Sequence, residues 1–273
     1  MMIKPQNNKL APLILADDNL SFAWARAFMH AMTHPGSKIS PLIISITAFD
    51  ENGAPQEDPM IRSALDIFLS KHPRMNSVKV TAFTIFPQQY WAIARGNRQD
   101  FYRICFDAIP RIKRRDSRNR KGIYFERLFQ FGPKPCPCDG NQIEFIIENY
   151  RKGVRASMMQ AVIFDPARDQ SRTALLGFPC LQSVSFVATE AGLVVNATYP
   201  TQYLVERAYG NFLGISQLGA FVAQNIGLRL AQVNIFAGVE SLVLTKEKLA
   251  KLAASVTKAL PKNITAADGP AAA

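Results

Sequence analysis

The chain has 273 residues, of which 48% are hydrophobic, and its formal net charge is +11. This length and composition allow one large domain with a sizeable core, and four cysteines are too few for a disulfide scaffold of this size. The excess of positive charge favours anionic partners such as nucleotides, nucleic acid or acidic lipid. No apolar run reaches the roughly 18 residues of a membrane span, and the polar start does not resemble a signal peptide. We therefore expect a cytoplasmic protein without membrane contact.

The first half of the chain carries the hydrophobic periodicity of both helices and strands. Apolar residues recur at helical spacing in two segments, and Asn19 stands where a helix cap is expected. β-Branched runs bounded by turn residues indicate strands. In chain order we predict a helix over Leu20–Thr33, a buried strand over 41–49 with a turn at 50–53, a helix over Pro59–Ser70, a strand over 77–86, and an aromatic-rich helix over 88–109.

The second half opens with a basic run, residues 111–121, which contains seven basic residues and one acid and predicts a solvated loop. Mixed helices and strands without strict alternation indicate one α+β domain over residues 1–262, followed by a disordered Ala/Gly/Pro tail at 263–273. After the loop we predict an apolar segment at 124–131, a break at 132–140, a helix over 142–151, strands near 157–164, 181–188 and 193–199, a helix from 211 to about 230, a strand near 232–236, and a helix over 244–260.

Cys180 and Asn211 are the candidate catalytic pair. Cys180 follows Pro179 at a turn before the strand 181–188, and Asn211 lies at the head of a helix rich in small residues. A thiolate at the start of a strand can attack an electrophilic carbon, and an amide at the start of a helix can read the polar edge of the ring that is attacked. Taken alone, Cys180 also fits an ordinary buried cysteine. Both interpretations stay open.

Other sequence features carry weaker signals. The motif Cys136-Pro137-Cys138 lacks the second pair of ligands that a zinc site needs, so we predict no metal site there. The basic run 111–121 could bind nucleic-acid phosphates, but it lacks interleaved aromatic residues on which bases could stack. Glu240, after the last predicted strand, carries no signal on its own.

Together these motifs resemble the thymidylate synthase family, which includes the pyrimidine hydroxymethylases. The match covers residues 142–241, where Pro179-Cys180 stands at the family nucleophile and Asn211 at the asparagine that reads the pyrimidine. Tyr124 stands at a family tyrosine. The resemblance implies a thymidylate-synthase-like α+β fold, in which helices cover one face of a large mixed β-sheet. It also implies a homodimer in which the other face packs against the sheet of a second subunit.

The resemblance assigns roles to further residues. Arg155 stands in the family's arginine pair, which binds phosphate in the partner subunit's site, and Ser241 aligns with a histidine that binds the sugar hydroxyl. Asp66 is the acid nearest to the family's catalytic glutamate, two positions away. The family's own phosphate arginine aligns with Pro200, and Arg207 could replace it.

The departures from the family pattern shape the functional hypothesis. Tyr203 aligns with the aspartate that contacts folate, so methylenetetrahydrofolate is a possible cofactor at most. We expect an enzyme that transfers a one-carbon unit to carbon-5 of a pyrimidine nucleotide other than ordinary dUMP, through a Cys180 thiolate adduct. The alternative is a catalytically inactive homologue that acts as a nucleotide-binding or structural subunit.

Overall fold

The computed structural model describes residues 12–131, 137–150, 152–153, 156–170 and 180–261. Within these residues the strands form one seven-stranded sheet in the order β1-β3-β7-β6-β5-β4, with β2 also paired to β7. β1 is parallel to β3 and β6 is parallel to β7, whereas the other pairs are antiparallel. The predicted large mixed sheet is thus confirmed. The strands are β1 (Leu13–Asp17), β2 (Lys38–Ile39), β3 (Leu42–Ile46), β4 (Gln160–Val162), β5 (Ser183–Thr189), β6 (Gly192–Tyr203) and β7 (Leu230–Ser241).

Helices pack on one face of this sheet, as predicted. α1 lies against β1 and β3, and the buried helix α9 lies across β6 and β7. The helices are α1 (Leu20–Thr33), α2 (Pro59–Ser70), α3 (Val78–Ile85), α4 (Gln88–Ala94), α5 (Arg98–Arg115), α6 (Tyr124–Phe129), α7 (Gln142–Tyr150), α8 (Pro166–Asp169), α9 (Tyr209–Ile226) and α10 (Lys246–Ala259).

The two most clearly periodic helices begin and end where the sequence predicts. The Asn19 side chain accepts hydrogen bonds from the amides of Ser21 and Phe22, which caps α1. Asp58 caps α2 in the same way, and Pro59 occupies the first helical position, where its fixed φ is favourable. These signals are local, so they do not depend on the rest of the fold.

Residues 78–85 form helix α3, and the strand predicted over 77–86 is wrong. Ser77 caps this helix by accepting a hydrogen bond from Val80, and its buried residues include Val78, Ala82 and Ile85. This buried face packs against α9. Short apolar runs fit either period, and here the contact with α9 selects the helix.

The helical and basic segments that follow also differ from prediction. Residues 88–109 are divided between α4 and α5, because Arg95 and Gly96 adopt left-handed conformations with φ of 50° and 85°. The predicted loop 111–121 is helical as far as Arg115, and a short 3-10 turn, Ser117–Asn119, follows. The predicted tail 263–273 lies outside the described residues.

The second face of the sheet carries side chains in rows across the strands. Ser45 donates to Asn234, Asn234 donates to Asn196, and Asn196 donates to Ser185, at 2.7, 2.8 and 3.2 Å. The neighbouring row is largely apolar and in register across six strands; it contains Ile14, Ile43, Phe236, Thr198, Ser183 and Val162. In the part of the chain that the structure covers, no helix is long and apolar enough to cross a membrane.

Candidate functional site

Cys180 and Tyr124 lie together. Cys180 is half-buried just before β5, and its amide donates to the Tyr124 hydroxyl at 3.0 Å. The Leu181 amide donates to the same oxygen at 3.4 Å. Burial raises the pKa of Tyr124 to about 12, so the phenol stays neutral at physiological pH. Tyr124, on the first turn of α6, therefore holds the backbone that presents the thiol.

Two opposing influences act on the Cys180 thiol. Burial raises its pKa, and the Glu240 carboxyl adds to this effect when it is ionised, whereas Arg207 and a hydrogen bond with Thr201 lower it. The net direction is upward, so the thiol is protonated at neutral pH. Arg207 lies close enough to act on the Cys180 thiol, but burial outweighs its positive charge.

Arg207 is positioned by the turn between β6 and α9. This turn, Leu204–Ala208, is π-helical, and the Trp24 indole donates to the carbonyl of Leu204 at 2.8 Å. The Arg207 guanidinium pairs with Glu206 at 3.0 Å and keeps 29% of its side chain exposed. It can therefore meet an anionic group that approaches from solvent.

A group of buried polar side chains lies at the carboxyl ends of β6 and β7. We call Tyr199, Gln202, Asn211 and Glu240 the buried polar group; each is at most 2% exposed. The Tyr199 hydroxyl, both amide atoms of Gln202, the Asn211 Oδ1 and both carboxyl oxygens of Glu240 have no hydrogen-bond partner among the described residues. Leaving such atoms unpaired costs about 1–3 kcal/mol each, so their concentration among the described residues makes this end of the sheet a candidate binding place.

The topology explains how these four residues come together. β6 and β7 are parallel, so their carboxyl ends lie at the same end of the sheet, and Gln202 is directly opposite Glu240 in register. α9 begins after the turn that follows β6 and runs back across both strands, which places Asn211 in its first turn at this end. Glu240 acts electrostatically on both Cys180 and Tyr199, so the buried polar group adjoins the thiol.

Asn211 has the burial that a base-reading amide requires. It is 2% exposed, and its Oδ1 is unpaired within the described residues. The expected proximity of the Cys180 thiol and the Asn211 side chain stays a prediction.

Asp66 does not belong to the group of residues around Cys180. It lies on α2 and accepts a hydrogen bond from Arg62 Nε at 2.8 Å, with 40% of its side chain exposed. Among the described residues, the charged groups that act on the Cys180 thiol are Arg207 and Glu240. The assignment of Asp66 as a catalytic acid therefore has no geometric support.

The other predicted binding residues are placed differently. Ser241 is half-buried at the end of β7, opposite Tyr203 and next to Glu240 in the chain. Arg155 lies outside the described residues, so its predicted reach into a partner subunit stays a prediction. Tyr203 is 47% exposed and supplies no carboxylate where the family's folate-contacting aspartate would stand. The described residues do not fit methylenetetrahydrofolate at this position.

Two weaker features of the sequence are engaged in local contacts. Lys113 pairs with Glu126 at 2.6 Å, and Arg118 pairs with Asp116 at 2.9 Å, so part of the basic run is neutralised within the chain. The Cys138 thiol contacts Glu148 at 3.5 Å, while Cys136 lies outside the described residues. Neither feature gains support as a nucleic-acid or metal site.

Gln202 and Glu240 were not identified from the sequence. The available signal is an acid near the end of β7, and it is ambiguous because most such acids are solvated. Recognition of the pair requires the register between two strands that are separated by a helix. Comparison of the chain with protein-family models and with curated protein sequences gives no match.

Proposed function

We propose that this protein binds a pyrimidine mononucleotide beside Cys180 and activates carbon-5 of the base for modification. The observation that carries the proposal is the convergence of the Cys180 thiol with Tyr124, Thr201 and Arg207. Arg207 offers a partly exposed cation for the phosphate. The thiol is the nucleophile, and its protein partners come from α6, β6 and the turn before α9.

The proposed step is addition of the thiol across the C5=C6 bond. The Cys180 proton leaves to solvent, the S–C6 bond forms, and the C5=C6 electron pair moves toward the ring carbonyl as an enolate. An amide donor such as Asn211 stabilises that enolate. Carbon-5 then takes up a proton from solvent or an electrophilic one-carbon unit. Because burial raises the pKa of the thiol, only a minor fraction of the free protein carries the reactive thiolate at neutral pH.

Exchange of the carbon-5 hydrogen tests this step without knowledge of the one-carbon donor. Reversible addition of Cys180 exposes carbon-5 to solvent, so incubation in D2O should replace the carbon-5 hydrogen of the ring with deuterium. We expect exchange with at least one of UMP, dUMP, CMP and dCMP, followed by proton NMR, and none with Cys180→Ser. Cys105→Ser is the matched control, because Cys105 is buried away from this cluster and should leave exchange intact.

A binding role without catalysis is the second candidate function. The raised pKa of Cys180 favours it, because a protonated thiol is a poor nucleophile. In that case a mononucleotide from the same panel would bind the parent protein and Cys180→Ser equally well, and no carbon-5 exchange would occur. Absence of binding by every nucleotide in the panel would contradict both candidates.

We also propose that the protein forms a homodimer through the second face of its sheet. Ile14, Phe236 and Val162 lie in one row on this face and are 47%, 42% and 43% exposed. The hydrogen-bonded row beside them already pairs its polar groups across four strands. A flat face with apolar side chains and internally satisfied polar groups is suited to burial against a second copy.

Phe236→Asp should convert the dimer to a monomer, because the interface would bury an unpaired charge. Sedimentation equilibrium at micromolar concentration should give twice the 30.3 kDa chain mass for the parent and a single chain mass for the variant. Ile67→Asp is the control, since Ile67 is 53% exposed on α2, away from the sheet face. A parent protein that sediments as a monomer would refute this assembly.

A further inference from the structure

We infer that Gln202 and Glu240 recognise the base of the ligand. They select an uncharged planar ring that presents a hydrogen-bond donor beside an acceptor. This inference rests on the proposed function and adds the class of base edge that the site recognises. It assigns the recognition to two residues that no sequence pattern singles out.

The first support is position. Gln202 and Glu240 are directly opposite each other in the parallel pair β6 and β7, so their Cα atoms are neighbours across the ladder. In β6 every second residue is buried as far as Tyr199, and in β7 the same holds as far as Ala237. The next buried residue in each strand then comes three positions later instead of two. The irregularity lies at the same level in both strands, at Pro200 and Gly238. It turns an amide and a carboxyl inward together.

Gly238 shows how closely the strands approach at this level. A Cβ added there would lie 2.8 Å from the Pro200 carbonyl oxygen, a distance that real contacts do not reach. The side-by-side arrangement of Gln202 and Glu240 thus depends on a glycine in β7. Among the described residues, backbone packing rather than side-chain hydrogen bonding holds the pair.

The second support is that the polar atoms of both side chains lack hydrogen-bond partners among the described residues. Gln202 is 2% exposed and Glu240 is 1% exposed, and none of their four side-chain polar atoms has a partner among the described residues. An amide and a carboxyl buried in this way are costly to leave unpaired. A ring that offers a donor and an acceptor side by side would pair with them, as the Watson–Crick edges of uracil and cytosine do.

The third support is charge. Burial raises the pKa of Glu240 well above its usual range, so the carboxyl is neutral and presents one donor and one acceptor. The Gln202 amide likewise presents both. A charged ligand group would find no counter-ion in this pair, whereas the partly exposed Arg207 stands nearer to solvent. The base is therefore held inside and the phosphate outside, and Glu240 lies within electrostatic range of the Cys180 thiol.

Calorimetry with the mononucleotide of the panel that binds the parent protein most tightly tests the inference. Glu240→Leu and Gln202→Leu should each weaken binding about 30-fold, which corresponds to about 2 kcal/mol of lost hydrogen bonding. Glu240→Gln keeps a neutral donor and acceptor and should stay within about threefold of the parent. For a uracil nucleotide, the N3-methylated form, which lacks the N3–H donor and stays uncharged, should bind the parent as weakly as the unmodified nucleotide binds Glu240→Leu.

Cys105→Ser is the control, because Cys105 is fully buried in α5, which carries no member of the buried polar group, and its replacement should leave affinity unchanged. Thermal unfolding of each variant checks the fold, and Gln202→Leu carries the test if Glu240→Leu does not fold. If both leucine variants bind as the parent does, the pair holds only water and the inference is overturned, while the proposed function stands. If the parent binds no nucleotide, the proposed function and this inference fail together.

Discussion

Replacement of Arg127 by methionine should lower the free energy of unfolding by about 3–5 kcal/mol, because the Asp169 carboxylate would be left buried without its partner. The side chains of Arg127 and Asp169 are 4% and 1% exposed. Arg127 Nη2 donates to Asp169 Oδ1 at 2.8 Å and to the Lys121 carbonyl at 2.7 Å, and Nη1 donates to the Ile163 carbonyl at 2.8 Å. One guanidinium therefore ties α6 to the segment around β4.

This ion pair also bears on the candidate site. α6 carries both Arg127, which holds Asp169, and Tyr124, which holds the Cys180 amide. The same helix thus fixes the chain on both sides of residues 171–179. Arg127→Met should therefore weaken nucleotide binding in addition to lowering stability.

Urea unfolding measures the effect, and Arg168→Met is the control. Arg168 is 57% exposed and pairs with Asp165 at 3.3 Å, so its loss should cost less than about 1 kcal/mol. The double replacement Arg127→Met with Asp169→Leu should recover most of the lost stability, because neither charge is then left buried. A loss of less than about 1 kcal/mol for Arg127→Met alone would contradict the assignment.

The same pair predicts sensitivity to acid. Burial opposes ionisation of Asp169, but hydrogen bonds from Arg127 and from the Asp165 amide outweigh it and hold the pKa of Asp169 below its usual value. Its contribution to stability is therefore fully present above the pKa of an unfolded carboxyl. That contribution is lost as the pH falls through the lower pKa of the folded state.

Gly210→Ala should lower the free energy of unfolding by about 1–3 kcal/mol, although alanine is the better helix former. The added Cβ would lie 2.5 Å from Thr81 Cβ and 2.9 Å from the Val78 carbonyl oxygen, so α3 and α9 would have to separate. Because Gly210 precedes Asn211 in the first turn of α9, we also expect carbon-5 exchange to slow about 10- to 100-fold.

Gly219→Ala in the same helix is the control for this prediction. Its added Cβ would meet Leu230 Cδ1 and Val195 Cγ2 at 3.0 Å, and side-chain tips of this kind can shift by a few tenths of an ångström. Its effect on stability should stay within about 1 kcal/mol, with exchange near the parent rate. Equal effects of the two replacements would show that the contact between α3 and α9 does not position Asn211.

Much of the helical structure is predictable because its signals are local. Caps and apolar spacing predict α1 and α2 to the residue, and the same spacing finds α7 and α10 within two residues at either end. Residues 77–86 were predicted wrongly because an eight-residue apolar stretch carries no period of its own. The glycines of α9 allow α3 to pack closely against it, and this contact selects the helical conformation of the stretch.

The sequence by itself determined which residues could carry the chemistry. They are a cysteine before a strand, an asparagine at a helix start, and a tyrosine and an arginine suggested by the family resemblance. Only the tertiary structure decided which of them meet, bringing Tyr124 and Arg207 to Cys180 and leaving Asp66 paired with Arg62. The facing pair Gln202 and Glu240 also arises from the tertiary structure alone. The physical reason is that the register of two parallel strands depends on the helix that joins them, which no local pattern records.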